Sequence, residues 1–294
     1  MTKISDILPE SELQRRLDRA EPGSTVFLPE GIFREKLLVT VPGLTIRGAG
    51  QDRTRIVWDD YAEKEDTRGE KYNTFRTWTM AVCADGVTLR DLTVENDALY
   101  PEAKGQEVAL SVCADRFFME NCRLRSTQDT LFLGPLPEDL IRRYADFLPE
   151  PLRRGGACRQ EIRKSLVEGN VDFIFGCGDA LLEECEIRSL PDARGTGFCA
   201  APAHALTQTE GFTFRRCRFT HTEGVRPESV FLARPWRDHG ICRLEECTYG
   251  EHIRPSGFDK WRDTDRDKTA RFYEEPPQAG RVSWVRRERQ FTLS

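Results

Sequence analysis

No stretch of this 294-residue chain approaches the ~18 consecutive apolar residues that a membrane helix needs, so a membrane protein is not expected. Long runs of one charge are missing too. The 44 basic and 49 acidic residues are interspersed and sum to −5, which disfavours nucleic acid as a partner. The segment Met1 to Glu10 lacks the apolar core and small-residue cleavage site of a secretory signal. Cytoplasmic residence is therefore the expectation, or extracellular if a leader has been removed. Histidine is scarce, with four residues in no ligand pattern, and no two cysteines stand as Cys-x-x-Cys, so no structural metal site is expected. The ten cysteines, without a secretory signal, read as reduced thiols used as small hydrophobes. With 38% hydrophobic residues the chain can build a core, and one domain over residues 1–294 is expected because long β architectures stay single at this length.

What the chain does have is a repeat. Val87-Thr-Leu-Arg-Asp-Leu-Thr-Val94, Phe117-Phe-Met-Glu-Asn-Cys-Arg-Leu124 and Phe212-Thr-Phe-Arg-Arg-Cys-Arg-Phe219 align, and two shorter copies end in Cys185 and Cys247. The equivalent positions are Leu92, Cys122, Cys185, Cys217 and Cys247, with Arg163-Lys-Ser165-Leu-Val167 dividing the longest gap. Periods of about 20 to 50 residues mark repeat architectures, and copies rich in β-formers with no helical pattern between them favour a parallel β-helix. The fold class is thus all-β, a solenoid in which equivalent residues stack at about 4.8 Å. Cys122, Cys185, Cys217 and Cys247 then form an interior ladder. Ser11 with Gln14 is a capping-box pattern ahead of Leu13 and Leu17, which predicts a helix covering the N-terminal end of the coil. Two regions leave the repeat: a Pro- and Gly-punctuated excursion over about 135–158, and a charged tail over about 250–294 expected to pack along the coil.

Two segments carry the candidate chemistry, Ser126-Thr-Gln-Asp-Thr-Leu-Phe-Leu-Gly134 and Val167-Glu-Gly-Asn-Val-Asp-Phe-Ile-Phe-Gly176. Each sets a carboxylate, Asp129 or Asp172, among β-formers that would desolvate it. Gln106 and Gln128 are spaced to lie on neighbouring turns. One Asp as nucleophile, one as acid and two amides for an oxyanion suit attack on an activated carbonyl, although a carboxylate pair also serves glycoside hydrolysis. Arg234, in Phe231-Leu-Ala-Arg-Pro-Trp-Arg237, is a candidate clamp for a nucleophilic carboxylate, and Trp236 a flat face for a sugar ring. Taken singly, each has an ordinary structural explanation: a surface ion pair for Arg234, core packing for Trp236, a rung cap for Gln106.

With Gly31-Ile-Phe-Arg-Glu-Lys36, Tyr72-Asn-Thr-Phe-Arg-Thr77, Gly105-Gln-Glu-Val-Ala-Leu110, Gln128-Asp-Thr-Leu131, Gly169 to Gly176, Leu232-Ala-Arg-Pro-Trp236, Thr269-Ala-Arg-Phe-Tyr273 and Arg281-Val-Ser-Trp284 in that order, the chain resembles the pectin methylesterases. The resemblance implies a right-handed parallel β-helix, with Asp172 as nucleophile on the C6 methyl ester of galacturonate and Asp129 as general acid, then base. Gln106 and Gln128 become oxyanion donors, Arg234 the partner of Asp172, and Trp236, Phe132 and Thr77 substrate contacts. It further implies pectin or methylated oligogalacturonides as partner and no metal or organic cofactor; a monomer is the expectation. Ala233 stands where a glycine is usual, Phe132 where Tyr is common, and Gly197-Phe-Cys-Ala-Ala-Pro-Ala203 is an atypical strand.

Two other readings use the same fold, a pectin lyase or polygalacturonase and a non-catalytic pectin-binding coil. The first would need calcium carboxylates with a basic residue, or clustered acids. The second would be expected to have lost Asp129, Asp172 or Arg234. Neither pattern is present. The excursion should emerge beside the groove, its Arg142, Arg143, Arg153 and Arg154 available to substrate carboxylates.

Overall fold

The structure is a computed structural model that describes residues 8–98 and 105–286. These residues form three parallel sheets of nine, eight and seven strands. Strands recur in threes along the chain, one for each sheet, as in Thr88–Arg90, Thr93–Asn96 and Leu110–Val112. Each pairs with its counterparts one turn before and after. The result is a right-handed parallel β-helix, in which each strand inside a sheet bonds to a turn on either side and the end strands leave open edges.

The corner between the first and second sheets explains the repeat. One residue at each corner takes a left-handed conformation: Asp91, Asn121, Lys164, Glu184, Arg216 and Glu246 all have φ between 46° and 57°. The next residue turns inward. Strand registers stack those residues as Leu92, Cys122, Ser165, Cys185, Cys217 and Cys247. The four cysteines are at most 9% exposed. Three of the thiols reach back one turn, Cys185 Sγ to Ile162 O at 3.4 Å, Cys217 to Leu182 O at 3.3 Å and Cys247 to Phe214 O at 3.3 Å, while Cys122 bonds Glu120 O on its own turn at 3.3 Å. Serine fills the same rung, its Oγ accepting the Cys122 N–H at 3.1 Å. Five of these six stacked positions hold a small side chain with a hydrogen-bonding tip, and Leu92 fills the sixth.

Helix α1, Glu12–Asp18, covers the first turn, with Leu13 and Leu17 buried on the core. Only half of the expected capping box forms. Ser11 Oγ accepts the Gln14 N–H at 3.1 Å. The Gln14 amide, however, pairs with the open edge of the third sheet, accepting from Leu38 N at 2.8 Å and donating to Leu38 O at 2.9 Å. One side chain thus replaces a missing strand at that rung.

The tail corrects the sequence reading. Arg271–Glu275 rejoins the coil as the last strand of the nine-stranded sheet, pairing with Ile241–Glu245 and stacking Phe272 on Cys242. Phe258, Phe272 and Trp284 pack at ring distances of 5.4 to 6.2 Å over the C-terminal end of the core. Residues 287–294 of the expected tail lie outside the described residues.

The excursion has a core of its own. Leu136, Leu140, Leu148 and Leu152 bury against Cys113, Phe132 and Phe175 on the outer face of the third sheet. It carries helix α2, Glu138–Arg143.

Candidate active site

The Ser126–Thr130 segment is pinned between two turns by its small hydroxyls. Ser126 Oγ donates to Glu107 O at 2.6 Å, Thr130 Oγ1 to Glu168 O at 2.8 Å, and the Glu107 carboxylate accepts both the Thr127 N–H at 3.1 Å and its hydroxyl. The residues between these pins, Gln128 and Asp129, face a groove. Asp129 takes a φ of 67° and its N–H bonds Val171 O at 3.1 Å, which fixes it one turn before Asp172.

Asp172 is aimed by a bulge. Val171 pairs with Phe198 but Ile174 pairs with Ala200, so Asp172 and Phe173 together oppose Cys199. The bulge, with Asp172 at φ 50°, breaks the alternation. Phe173 and Ile174 both stay in the core while Asp172 points outward into the groove. The two glycines that bracket the motif follow from this shape: a Cβ on Gly169 would lie 2.2 Å from the Phe173 Cβ, and one on Gly176 would lie 2.1 Å from Leu133 O.

Arg234 meets Asp172 side-on, Nε to Oδ1 at 2.8 Å and Nη2 to Oδ2 at 2.7 Å. Its guanidinium is stacked between two rings, 3.6 Å from the centroid of Phe198 and 4.2 Å from that of Trp261. The methyl of Ala233 lies in the coil interior, away from this contact. Gln106 and Gln128 line the same groove, and Gln128 Oε1 accepts from Arg194 at 3.4 Å. Trp236 is half-buried on the groove wall, edge-on to Phe175 at 6.0 Å.

Two expected contacts are elsewhere. Phe132 is 1% exposed beneath the excursion, packed on Phe75 at 5.6 Å and Phe175 at 5.0 Å, so the insertion that covers it removes it from any sugar. Thr77 is fully buried, its hydroxyl donating to Thr74 O at 2.8 Å and accepting from Val108 N at 3.0 Å, which holds a loop behind the groove. Conversely, Phe198, Trp261 and Arg194 carry the arrangement without a motif to announce them. In the sequence the Gly197-Phe-Cys strand stands out only as atypical, yet its Phe198 is one half of the sandwich.

Electrostatics separate the two acids. Burial raises the Asp129 carboxyl well above the ordinary range, and the negative charge of Asp172 pushes it further; Arg234, the Gln128 amide and Arg194 oppose. Burial also raises Asp172, against hydrogen bonds and charge from Arg234 and the fields of Arg194 and Arg262. Because Arg234 bonds Asp172 directly and reaches Asp129 only through space, the shared proton belongs on Asp129 and the charge on Asp172. An oriented carboxylate beside a protonated one, with two amides nearby, is equipped for nucleophilic attack and leaving-group protonation.

The family model for pectinesterase matches residues 11–135 and 155–290. Pectinesterase 31 of Arabidopsis thaliana is 29% identical over 273 residues, covering 89% of this chain and 77% of that protein. Among solved structures, the pectin methylesterase from carrot superposes with a TM-score of 0.76 at 23% identity, over 92% of this chain and 82% of that one. A pectin methylesterase in complex with hexasaccharide VII gives 0.74 at 21% identity, over 97% and 88%. The chain belongs to the pectinesterase family, and so to the carboxylic ester hydrolases.

Proposed function

We propose that this chain hydrolyses the C6 methyl ester of galacturonate units in pectin or methylated oligogalacturonides, releasing methanol. The observation that carries the reading is the two-point Asp172–Arg234 pair beside a buried Asp129, whose carboxyl is raised above the ordinary range by burial and by the charge of Asp172. Asp172 attacks the ester carbonyl carbon, and the oxygen that gains charge takes hydrogen bonds from the Gln106 and Gln128 amides. Asp129 gives its proton to the methoxy oxygen as that C–O bond breaks, and methanol leaves. The acyl group is then held on Asp172 as a mixed anhydride. Asp129, now a carboxylate, takes a proton from water, whose oxygen attacks the acyl carbon and releases the galacturonate acid while Asp172 returns to Arg234. Trp236 offers its face to a sugar ring.

The pair of acids alone would also serve cleavage of the glycosidic chain. Methanol release and chain scission measured in parallel on a methylated oligogalacturonide separate the two. Methanol without shorter chains supports the reading; shorter chains without methanol would overturn it.

A further inference from the structure

Among the described residues six cations line the groove, Lys71, Arg143, Arg194, Arg234, Arg237 and Arg262, and of the excursion's four arginines only Arg143 is one of them. Two of the six bond a side chain of the catalytic set. Arg234 holds Asp172, and Arg194 Nη2 donates to Gln128 Oε1 at 3.4 Å. The second contact ties an oxyanion donor to a loop that the proposed reaction does not otherwise use.

That loop is built to present Arg194. Asp192 Oδ1 accepts both the Arg194 N–H and Nε at 2.8 Å, and its Oδ2 accepts Nη2 at 2.8 Å, so the guanidinium is gripped two residues from where it starts. The Asp192 carboxylate is 8% exposed and the guanidinium 59% exposed, so a buried acid anchors a cation on the rim. Nη2 carries two N–H bonds and can serve Asp192 and Gln128 together. The start of the loop is tied to the turn that carries the nucleophile: Leu190 N–H bonds Gly169 O at 2.8 Å, and Asn170 Nδ2 donates to Pro191 O at 3.4 Å. Its far side turns at Gly195, with φ 70°, whose carbonyl accepts from Arg226 at 3.0 Å.

The two ends of a glutamine amide are nearly the same size and opposite in polarity, so its orientation has to be imposed from outside. A guanidinium only donates. What meets Arg194 must therefore be the amide oxygen, and the NH2 is left to the acids, where it hydrogen-bonds the Asp129 carboxyl. Its second N–H is then the one for the oxygen that gains charge. Turned over, the amide would set a carbonyl oxygen against that charge. We propose that Arg194 is a positioning residue that acts through Gln128, fixing the amide with its oxygen on the rim and its NH2 on the reacting ester. The proposal rests on the esterase reading above. Burial raises the carboxyls of Asp129 and Asp172, and the charge of Arg194 is among the influences that oppose it at both, so one side chain bears on the amide and on the two acids.

The test is methanol release from a methylated oligogalacturonide, each variant taken at its own pH optimum. Arg194→Gln is expected to lower kcat about tenfold with KM changed less than about threefold, a smaller loss than the order of 10²–10³ that follows removal of an oxyanion donor outright. In a Gln128→Ala background the same substitution lowers kcat by less than about twofold, because the residue through which it acts is gone. Both limbs of kcat/KM against pH move up in Arg194→Gln, since losing the cation raises both acids, and Arg194→Lys, which keeps the charge, returns them toward wild type. A rise in KM with kcat kept would make Arg194 a substrate ligand, and an undiminished loss of kcat in the Gln128→Ala background would make it a support of the loop; either overturns the proposal. A readout without turnover separates it from the esterase reading. The side-chain amide signals of Gln128 in nitrogen–proton NMR, assigned by their loss in Gln128→Ala, are expected to broaden in Arg194→Gln as the amide exchanges between two orientations. That broadening in a protein that releases no methanol sinks the esterase reading and leaves the positioning standing, whereas unchanged signals in a folded Arg194→Gln protein overturn the positioning.

Discussion

Arg234→Lys tests whether the guanidinium acts by holding Asp172 ionised. Lysine keeps the charge but loses the second of two charge-assisted hydrogen bonds, now at 2.8 and 2.7 Å, and the planar contact with Phe198 and Trp261. One such bond contributes about 1.5–3 kcal/mol, and one pKa unit corresponds to about 1.4 kcal/mol. Arg234 lowers the Asp172 pKa against the upward pull of burial, so weakening it lets that pKa rise. The acidic limb of kcat/KM, which reports the free enzyme, is expected to move up with it. Activity lost at low pH then returns in part as pH rises past the new limb. The assay is methanol release across about pH 4 to 9, with folding checked by circular dichroism. Unchanged limb position, with the rate lowered by one factor at every pH, would refute the reasoning and make Arg234 a substrate contact only.

Three further outcomes are expected. His204 accepts the Ile241 N–H at Nδ1 and meets Gly178 O through Nε2, both at 3.0 Å, and burial pulls its pKa from 6.5 down to about 3. The lowered folded pKa means its contribution is complete above the unfolded value and is lost as pH falls from 6.5 toward 3. Between pH 6.5 and 5 wild type should therefore lose about 2 kcal/mol more than a folded His204→Asn variant in urea unfolding, and equal losses would refute this. Under native conditions Cys122, Cys185, Cys217 and Cys247 should resist a thiol reagent, since burial blocks access and pushes Cys122 up to about 12; ready labelling of two of them would contradict the ladder. Gln14→Leu strips two hydrogen bonds from the Leu38 backbone and should cost about 1–3 kcal/mol in the same urea experiment, whereas an unchanged midpoint would show that the edge does not need its cap.

Much of the fold was legible because one inward position recurs turn after turn, and cysteine marks it in four turns at irregular but recoverable intervals. The corner residues before that rung were not legible. Lys164, Glu184, Arg216 and Glu246 are not residues that local preference assigns to positive φ; closure of the coil imposes it, at roughly 1–2 kcal/mol each. In the site, Asp129 and Asp172 could be read from β-formers and turn residues around them, but the bulge that points Asp172 outward depends on pairing with Phe198 and Ala200. The Arg234 sandwich joins three separate loops and strands, so no spacing announces Trp261. Phe132 and Thr77 were placed at the substrate by family analogy, and the covering excursion and a buried hydroxyl network assign them to support instead. The strand in the tail was hidden because a single copy has no repeat to align with.

The central claim is that Asp172 is the nucleophile, and the most direct measurement is methanol release from a methylated oligogalacturonide by Asp172→Asn. The amide is nearly isosteric and can still face Arg234, but it cannot form the acyl intermediate. Removing a nucleophile costs on the order of 10⁴–10⁶ in kcat, and a loss of that order is expected while circular dichroism stays that of the wild type. A folded Asp172→Asn protein that releases methanol within about tenfold of wild type would contradict the account.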